Sequence, residues 1–333
     1  MNYSAEIKNK LHNLGFDIAG ITTAAPFTEA FRNLQTLKNE KRLPDFINKK
    51  IRLITHPREI LPGAQSIITV GLSYYYSLPH REEAFIARYA RVQDYHSLIK
   101  QKLAQLADYL NKIKKNTKTK IICDNGPLLE KEAARRSGLG WPGKNTCLVT
   151  KKYGSFLVLG EIITDLELKP DNPRQKRKCQ NCSICQEKCP TSALNPQQPY
   201  HLNYKHCVSF LTQKKGILTE KENKRIGSNL WGCDLCQEVC PYNSEIKNTI
   251  EEKLTPLIKP DLNKLLKLDP RGQLPVKWKK TALAWRGTET LIRNALIVCG
   301  NIGYHKYYKV INNLTDSRSQ VIRHYSRRAL KMF

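Results

Sequence analysis

Acidic residues are scarce in this chain of 333. There are 29 Asp and Glu against 56 Lys and Arg, a formal net charge of +27. That imbalance argues against an enzyme confined to small metabolites. It favours a polyanionic partner, nucleic acid foremost. Plain solvated lysine is the bland alternative, and the many Lys-Lys pairs support it. No window approaches the apolar length of a membrane-spanning helix, so no membrane association is expected. No apolar signal stretch follows the polar start Met1-Asn2-Tyr3-Ser4, which argues against secretion and a disulfide framework. The cytoplasm is the expected compartment. The length allows two or three domains with a sizeable core.

Cysteine, in contrast, is dense. Eight of the eleven lie between Cys179 and Cys240. The first run is Cys179-x-x-Cys182-x-x-Cys185-x-x-x-Cys189-Pro190. The second is Cys233-x-x-Cys236-x-x-x-Cys240-Pro241, with Cys207 well upstream. A zinc site takes four ligands and has no use for the extra evenly spaced Cys or for the Pro that follows. The spacing is that of two-cluster ferredoxins, in which the fourth Cys of a run ligates the other cluster. On that rule Cys179, Cys182, Cys185 and Cys240 hold one [4Fe–4S] cluster. Cys233, Cys236, Cys207 and Cys189 hold the second. Residues 208–232 are an insertion between two ligands of one cluster, able to cover it or to touch its electron acceptor. Cys123, Cys147 and Cys299 read as small buried apolar residues.

Periodicity divides the rest. Residues 5–14 form an amphipathic helix ended by Gly15. Residues 66–73 are an apolar, β-branched run and hence a buried strand. Residues 95–113 carry apolar side chains at helical spacing. Residues 120–123 form a short strand that delivers Asp124 to its end, residues 128–137 a helix closed by Gly138, and residues 156–163 another strand. The expectation is a mixed α/β, or α+β, domain over 1–168. The polar stretch 169–178 is the boundary to a ferredoxin-like domain over 169–245. Helical patterns over 280–300, 306–314 and 320–331 suggest a HEAT-like repeat in a C-terminal domain, 246–333. Basic residues continue through that end, from Lys277, Lys279 and Lys280 to Arg327 and Arg328.

The stretch from 124 to 147 reads Asp-Asn-Gly-Pro-Leu-Leu-Glu-Lys-Glu-Ala-Ala-Arg-Arg-Ser-Gly-Leu-Gly-Trp-Pro-Gly-Lys-Asn-Thr-Cys. Gly138, Gly140 and Gly143 permit close backbone approach, and Lys144 and Asn145 add donors. The stretch lacks the spacing of a phosphate loop and does not follow the dinucleotide fingerprint. Asp124, at the end of a strand, would line a cleft outside the sheet's carboxyl edge. Its bland reading is an N-cap for the helix that follows.

These residues, together with Ala87-Arg88-Tyr89-Ala90, Asp94-Tyr95-His96, the turn Leu61-Pro62-Gly63-Ala64, Gly232-Cys233-Asp234 and Leu291-Ile292-Arg293-Asn294-Ala295, resemble the epoxyqueuosine reductases. The resemblance runs over roughly residues 53–301. It implies an N-terminal cobalamin-binding domain similar to that of reductive dehalogenases, two [4Fe–4S] clusters, and reduction of the epoxide of epoxyqueuosine at the tRNA wobble base. Asp124 matches the family's proton donor, a role that suits a carboxyl kept protonated by burial. The resemblance places Arg88, Asp124, Lys144, Asn145, Ser209, Thr212, Gly232 and Asp234 at cobalamin, and Arg293 and Asn294 at tRNA. It implies an external electron donor of the reductase, flavodoxin or ferredoxin kind. A monomer is the expectation. Cobalamin is expected without a protein His ligand, His96 and His206 reading as packed or hydrogen-bonding residues. The alternatives are a ferredoxin-like electron carrier, which leaves the N-terminal domain and basic C-terminal helices unexplained, and a reductive dehalogenase of organohalides, in which the positive charge has no purpose.

Overall fold

The computed structural model describes residues 3–78, 83–124, 126–171, 179–246, 254 and 256–333, the side chain of Phe46 aside. The chain forms two compact units, not three domains. The first comprises Met1–Ser73 and Tyr95–Cys182; the second comprises Tyr74–Asp94 and Ser183–Phe333. The division thus falls inside the first cysteine run, and the ferredoxin-like stretch shares a unit with the C-terminal helices. Most of the linker expected over 169–178, and the chain just after 246, lie outside the described residues.

The first unit is built on a four-stranded sheet in the order Ile18–Thr23, Ser66–Ser73, Leu157–Thr164, Thr119–Ile122. Every neighbouring pair is antiparallel. This is an α+β arrangement, so the rule that places ligands at the carboxyl edge of a parallel sheet does not apply here. Strand Ser66–Ser73 is buried at all eight positions, because helices cover both faces. On one side, helix Tyr95–Ile113 presents Ile99, Leu103, Leu106 and Leu110, all fully buried and spaced by three or four residues. Each such side chain contributes about 1.5–3 kcal/mol on burial. A Cβ added at Gly160 would lie 2.4 Å from Ile99 Cγ2, which explains the glycine in the facing strand. On the other side, helix Glu130–Arg136 packs Ala133 into a core with Ile67, Ile122 and Ile163. Strand Ile18–Thr23 was not anticipated; it lies at the sheet's edge and pairs on one side only.

The second unit is centred on helix Thr288–Ile302, buried without interruption from Thr290 to Gly300. Gly303 ends it in the left-handed conformation (φ 76°), with its N–H on Cys299 O. Helix Gln320–Leu330 packs against it, and helix Glu220–Ile226 carries a capping box from Thr219 and Glu222. A short parallel pair, Phe85–Ile86 with Asn229–Trp231, brings segment Tyr74–Asp94 into this unit. Among the described residues, no helix is long and apolar enough to cross a membrane.

Candidate active site and cluster ligands

Asp124 follows strand Thr119–Ile122 in a left-handed backbone conformation, φ 58°. Asp tolerates that region better than most residues. Its Oδ2 accepts hydrogen bonds from Tyr95 Oη and His96 Nε2, each at 3.1 Å. Both donors stand at the first turn of helix Tyr95–Ile113, and their rings stack with centroids 4.2 Å apart. The backbone N–H of Asp124 donates to Glu130 Oε1. Helix Glu130–Arg136 begins six residues after Asp124, with Leu129 at its N-cap, so the helix-cap reading of Asp124 is excluded. The expectation of a carboxyl kept protonated by burial is corrected too. The hydrogen bond from His96 holds Asp124 below the usual aspartate range, outweighing desolvation, and the side chain is 53% exposed. In this arrangement Asp124 Oδ2 is the acceptor of both hydrogen bonds, and Tyr95 Oη and His96 Nε2 are the donors.

Lys144 and Asn145 occupy the loop that follows. Lys144 Nζ donates to Gln180 O at 2.8 Å, within the first cysteine run. Asn145 is buried, and its Oδ1 accepts from Cys147 N at 3.1 Å. Lys131 Nζ reaches Thr146 O at 2.9 Å, tying helix Glu130–Arg136 to the same loop.

In the second unit the expected cofactor residues converge. Gly232 N donates to Thr212 Oγ1 at 3.0 Å, and Thr212 Oγ1 donates to Ser209 O at 3.0 Å. The Arg88 backbone N donates to Asp234 Oδ2 at 2.9 Å, and Arg88 Nη1 donates to the same oxygen at 3.1 Å and to Glu238 Oε1 at 2.7 Å. Arg88 and Asp234 are both buried. Gly232 has φ 68°, and a Cβ there would lie 2.5 Å from Ala87 Cβ. Gly232→Ala is therefore expected to destabilise the protein by about 1–3 kcal/mol, from left-handed backbone strain plus the clash. A chemical denaturation midpoint within error of wild type would contradict this.

The thiols fit iron–sulfur ligation. Cys185 lies on helix Ile184–Glu187 and Cys236 on helix Leu235–Glu238, and the two helices pack together. Burial pushes the Cys233 thiol up to about 12, with Cys207 and Cys189 near enough to add to the effect. Burial also acts to raise Cys189, but backbone N–H groups of Thr191, Leu194 and Ala193 aimed at its sulfur outweigh it and bring it below the ordinary value. Such N–H···S cradles stabilise thiolates and tune cluster potentials. Among the described residues, no three His, Cys, Asp or Glu side chains meet as a single ion would require. A cubane instead distributes its four thiolates over separate corners.

Arg293 and Asn294, expected at tRNA, are fully buried. Arg293 donates to the carbonyl oxygens of Lys214, Gly216, Leu211 and Thr212 and to Asn294 Oδ1; Asn294 Nδ2 donates to Thr212 O and Leu230 O. The pair pins the insertion between Cys207 and Cys233 onto helix Thr288–Ile302 and presents nothing to an RNA surface. Sequence reasoning assigned no roles to Tyr95 and Glu130, the partners of Asp124. Both stand inside the stretches that carry the family resemblance, Asp94-Tyr95-His96 and 124–147.

A ferredoxin-type thiol set, and a carboxylate held between an imidazole and a phenol, define an iron–sulfur oxidoreductase. The comparisons make this specific. The family model described as epoxyqueuosine reductase QueG, DUF1730 matches residues 55–125, and that of the 4Fe–4S double cluster binding domain matches residues 178–243. The epoxyqueuosine reductase of Bacillus cereus is 35% identical over 85% of this chain and 76% of its own length. A crystal structure of epoxyqueuosine reductase with a tRNA-Tyr epoxyqueuosine-modified stem loop aligns with TM-score 0.90 at 31% identity, covering 99% of this chain and 90% of that one. The Bacillus subtilis enzyme, solved with its catalytic aspartate loop swung out of the active site, aligns with TM-score 0.86 at 26% identity over 99% of both chains. The chain belongs to the epoxyqueuosine reductase family.

Proposed function

We propose that this protein reduces epoxyqueuosine to queuosine at the wobble position of tRNA, with Asp124 delivering the proton to the departing oxygen. Opening the epoxide to an alkene consumes two electrons and two protons and releases the oxygen as water; Asp124 delivers the first proton, and solvent supplies the second and reprotonates the donors. The observation that carries the reading is the Tyr95–Asp124–His96 constellation in a member of this family. Asp124 takes a proton from its donors and passes it to the oxygen as charge develops there, and its half-exposed side chain is accessible to a substrate.

Electrons enter singly from an external flavodoxin- or ferredoxin-like donor through the two clusters. In the second unit the half-buried Ser209 and the backbone around Gly232 would hold cobalamin, with Thr212 and the buried Arg88–Asp234 pair fixing that backbone; Lys144 and Asn145, in the first unit, are assigned to the same cofactor by the family resemblance. When bound, cobalamin supplies a cobalt centre that gathers single electrons for a two-electron reduction. The C-terminal helices, read as a HEAT-type pair, face tRNA through the exposed side chains of Lys277, Lys279, Lys280, Lys306, Lys309, Arg318 and Arg327. Trp285 is 54% exposed, with the Arg286 guanidinium 3.5 Å from its ring centroid. It offers a stacking surface for an unpaired base. The protein acts as a cytoplasmic monomer.

Anaerobic reconstitution is expected to give about eight iron atoms per chain, two cubanes' worth. With cobalamin and a chemical reductant, the protein should convert epoxyqueuosine in tRNA to queuosine. tRNA affinity should fall with salt at a log–log slope of about −0.7 to −0.9 per phosphate contact, less steeply after Lys277→Ala, Lys279→Ala and Lys280→Ala together. Full iron loading with no conversion would overturn the reading, and a flat salt response would return the charge to a solvated surface.

A further inference from the structure

The strand behind the Asp124 site carries a carboxyl group that the proposed chemistry does not use. Glu161 is fully buried in strand Leu157–Thr164, and neither of its oxygens receives a hydrogen bond from a conventional donor among the described residues. Its register partners are Thr69 and Ile122. The adjoining helix Glu130–Arg136 packs on this strand, and Glu130 lies near enough to Glu161 for the two carboxyl groups to act on each other. Two carboxylates cannot face each other in an apolar core, and one proton between them resolves the conflict. Glu130 is the less buried of the two, and its Oε1 accepts the Asp124 backbone N–H.

We propose that Glu161, as a neutral acid, donates a hydrogen bond to the Glu130 carboxylate, and that this pair acts as a latch holding the Asp124 backbone in its working position. The proposal rests on the reading of Asp124 given above. It makes Glu130 and Glu161 positioning residues, since neither needs to touch substrate. The left-handed conformation of Asp124 requires such an anchor, because strained backbone persists only where its surroundings fix it.

Electrostatics agree with the geometry. Burial raises both glutamates, Glu161 well above the ordinary range, and their mutual hydrogen bond favours the proton on Glu161 and the charge on Glu130. The charged or titratable groups bearing on the pair are Asp124 and Cys123 after strand Thr119–Ile122 and Lys131 on the helix of Glu130. Lys100 and His96, on helix Tyr95–Ile113, act on Cys123 and Asp124. Strand Ser66–Ser73 contributes the neutral Thr69, whose Oγ1 accepts from Ser137 Oγ at 3.2 Å. As pH rises the shared proton leaves, the carboxylates repel, and the hold on Asp124 fails.

Two measurements test this on the reconstituted holoenzyme. The first needs no activity. Infrared difference spectra across a pH titration should show the carbonyl stretch of a buried neutral carboxylic acid at neutral pH, lost on alkalinisation and absent from Glu161→Gln. Its absence from wild type, or its persistence in Glu161→Gln, would overturn the proposal even if the protein reduces no epoxyqueuosine. The second is single-turnover conversion against pH. Wild type should slow as the pair loses its proton. Glu161→Leu should fall by about 10²-fold, the scale of a misplaced reacting group. Glu161→Gln, whose amide donates to Glu130 but cannot ionise, should recover most of that loss and lack the alkaline decline. An unchanged alkaline decline in Glu161→Gln, or a loss equal to that of Glu161→Leu, would sink the latch. If Glu161→Leu does not fold, the Gln profile and the infrared band still decide.

Discussion

Asp124→Asn is expected to lower single-turnover reduction of epoxyqueuosine by about two to four orders of magnitude while iron content and fold stay at wild-type levels. The variant isolates the acid. Asn keeps the size, accepts from Tyr95 and His96 through its carbonyl oxygen, and tolerates the left-handed backbone that Asp124 adopts. Asp124→Ser also removes the acid but adds about 1 kcal/mol of backbone strain, so its loss would mix two causes. Stability at neutral pH should change little on losing the charge, because the carboxylate is half exposed and its attraction to His96 is screened by water. The sign of the pH effect follows from the depressed titration of Asp124. The stabilisation is present above the ordinary aspartate range and is lost as pH falls through the folded value. Chemical reductant and excess cobalamin remove electron supply and cofactor affinity as explanations. Near wild-type turnover in Asp124→Asn would take the acid role from Asp124 and leave it to Tyr95 or His96.

The parts legible in the sequence were those where one physical signal dominates. Strand Ser66–Ser73 and helix Tyr95–Ile113 appear at the bounds their apolar patterns predict, because both faces of the first and one stripe of the second are buried. The cysteine runs were legible because cluster geometry dictates their spacing. Strand Ile18–Thr23 was not. It is short and interrupted by Gly20, where a Cβ would lie 2.3 Å from Ser137 O. That glycine records a tertiary contact invisible in one dimension. Arg293 shows a signal misread. It stands among Leu291, Ile292, Ala295 and Leu296 in a helix with no polar face, a setting in which a cation must be buried and must find carbonyl oxygens. Glu161 is the same case in a strand, a single carboxyl within Leu-Val-Leu-Gly-Glu-Ile-Ile-Thr. The division of the chain was illegible for a different reason. Segment Tyr74–Asp94 joins the second unit through pairing with residues far along the chain, and no local pattern records the partner.

Asp234→Ala should cost about 3–5 kcal/mol, the range for removing one partner of a buried ion pair. Asp234 takes two of the bonds from Arg88, one from its backbone and one from its guanidinium. Arg88 Nε also donates to Tyr76 O at 2.9 Å, so the same side chain secures the approach to strand Phe85–Ile86. The pair is not itself a large source of stability. Burial raises Asp234 above the ordinary aspartate range in spite of Arg88, so its ionised form is less favoured than in water. By linkage, this contribution to stability declines as pH rises from the ordinary aspartate range through the folded value. Removing one member leaves Arg88 buried with only Glu238, itself partly exposed, to answer its charge. Removing both is different. Arg88→Met with Asp234→Leu should recover most of the loss, because an apolar pair of similar volume avoids the desolvation cost. The double variant also separates two roles. If Arg88 and Asp234 only join segment Tyr74–Asp94 to the second cysteine run, the restored protein should load iron and bind cobalamin as wild type does. If they also contact the cofactor, it should be stable and iron-loaded, yet its cobalamin titration should shift to weaker binding. A denaturation midpoint for Asp234→Ala within 1 kcal/mol of wild type would remove the structural role, at the scale on which surface ion pairs operate.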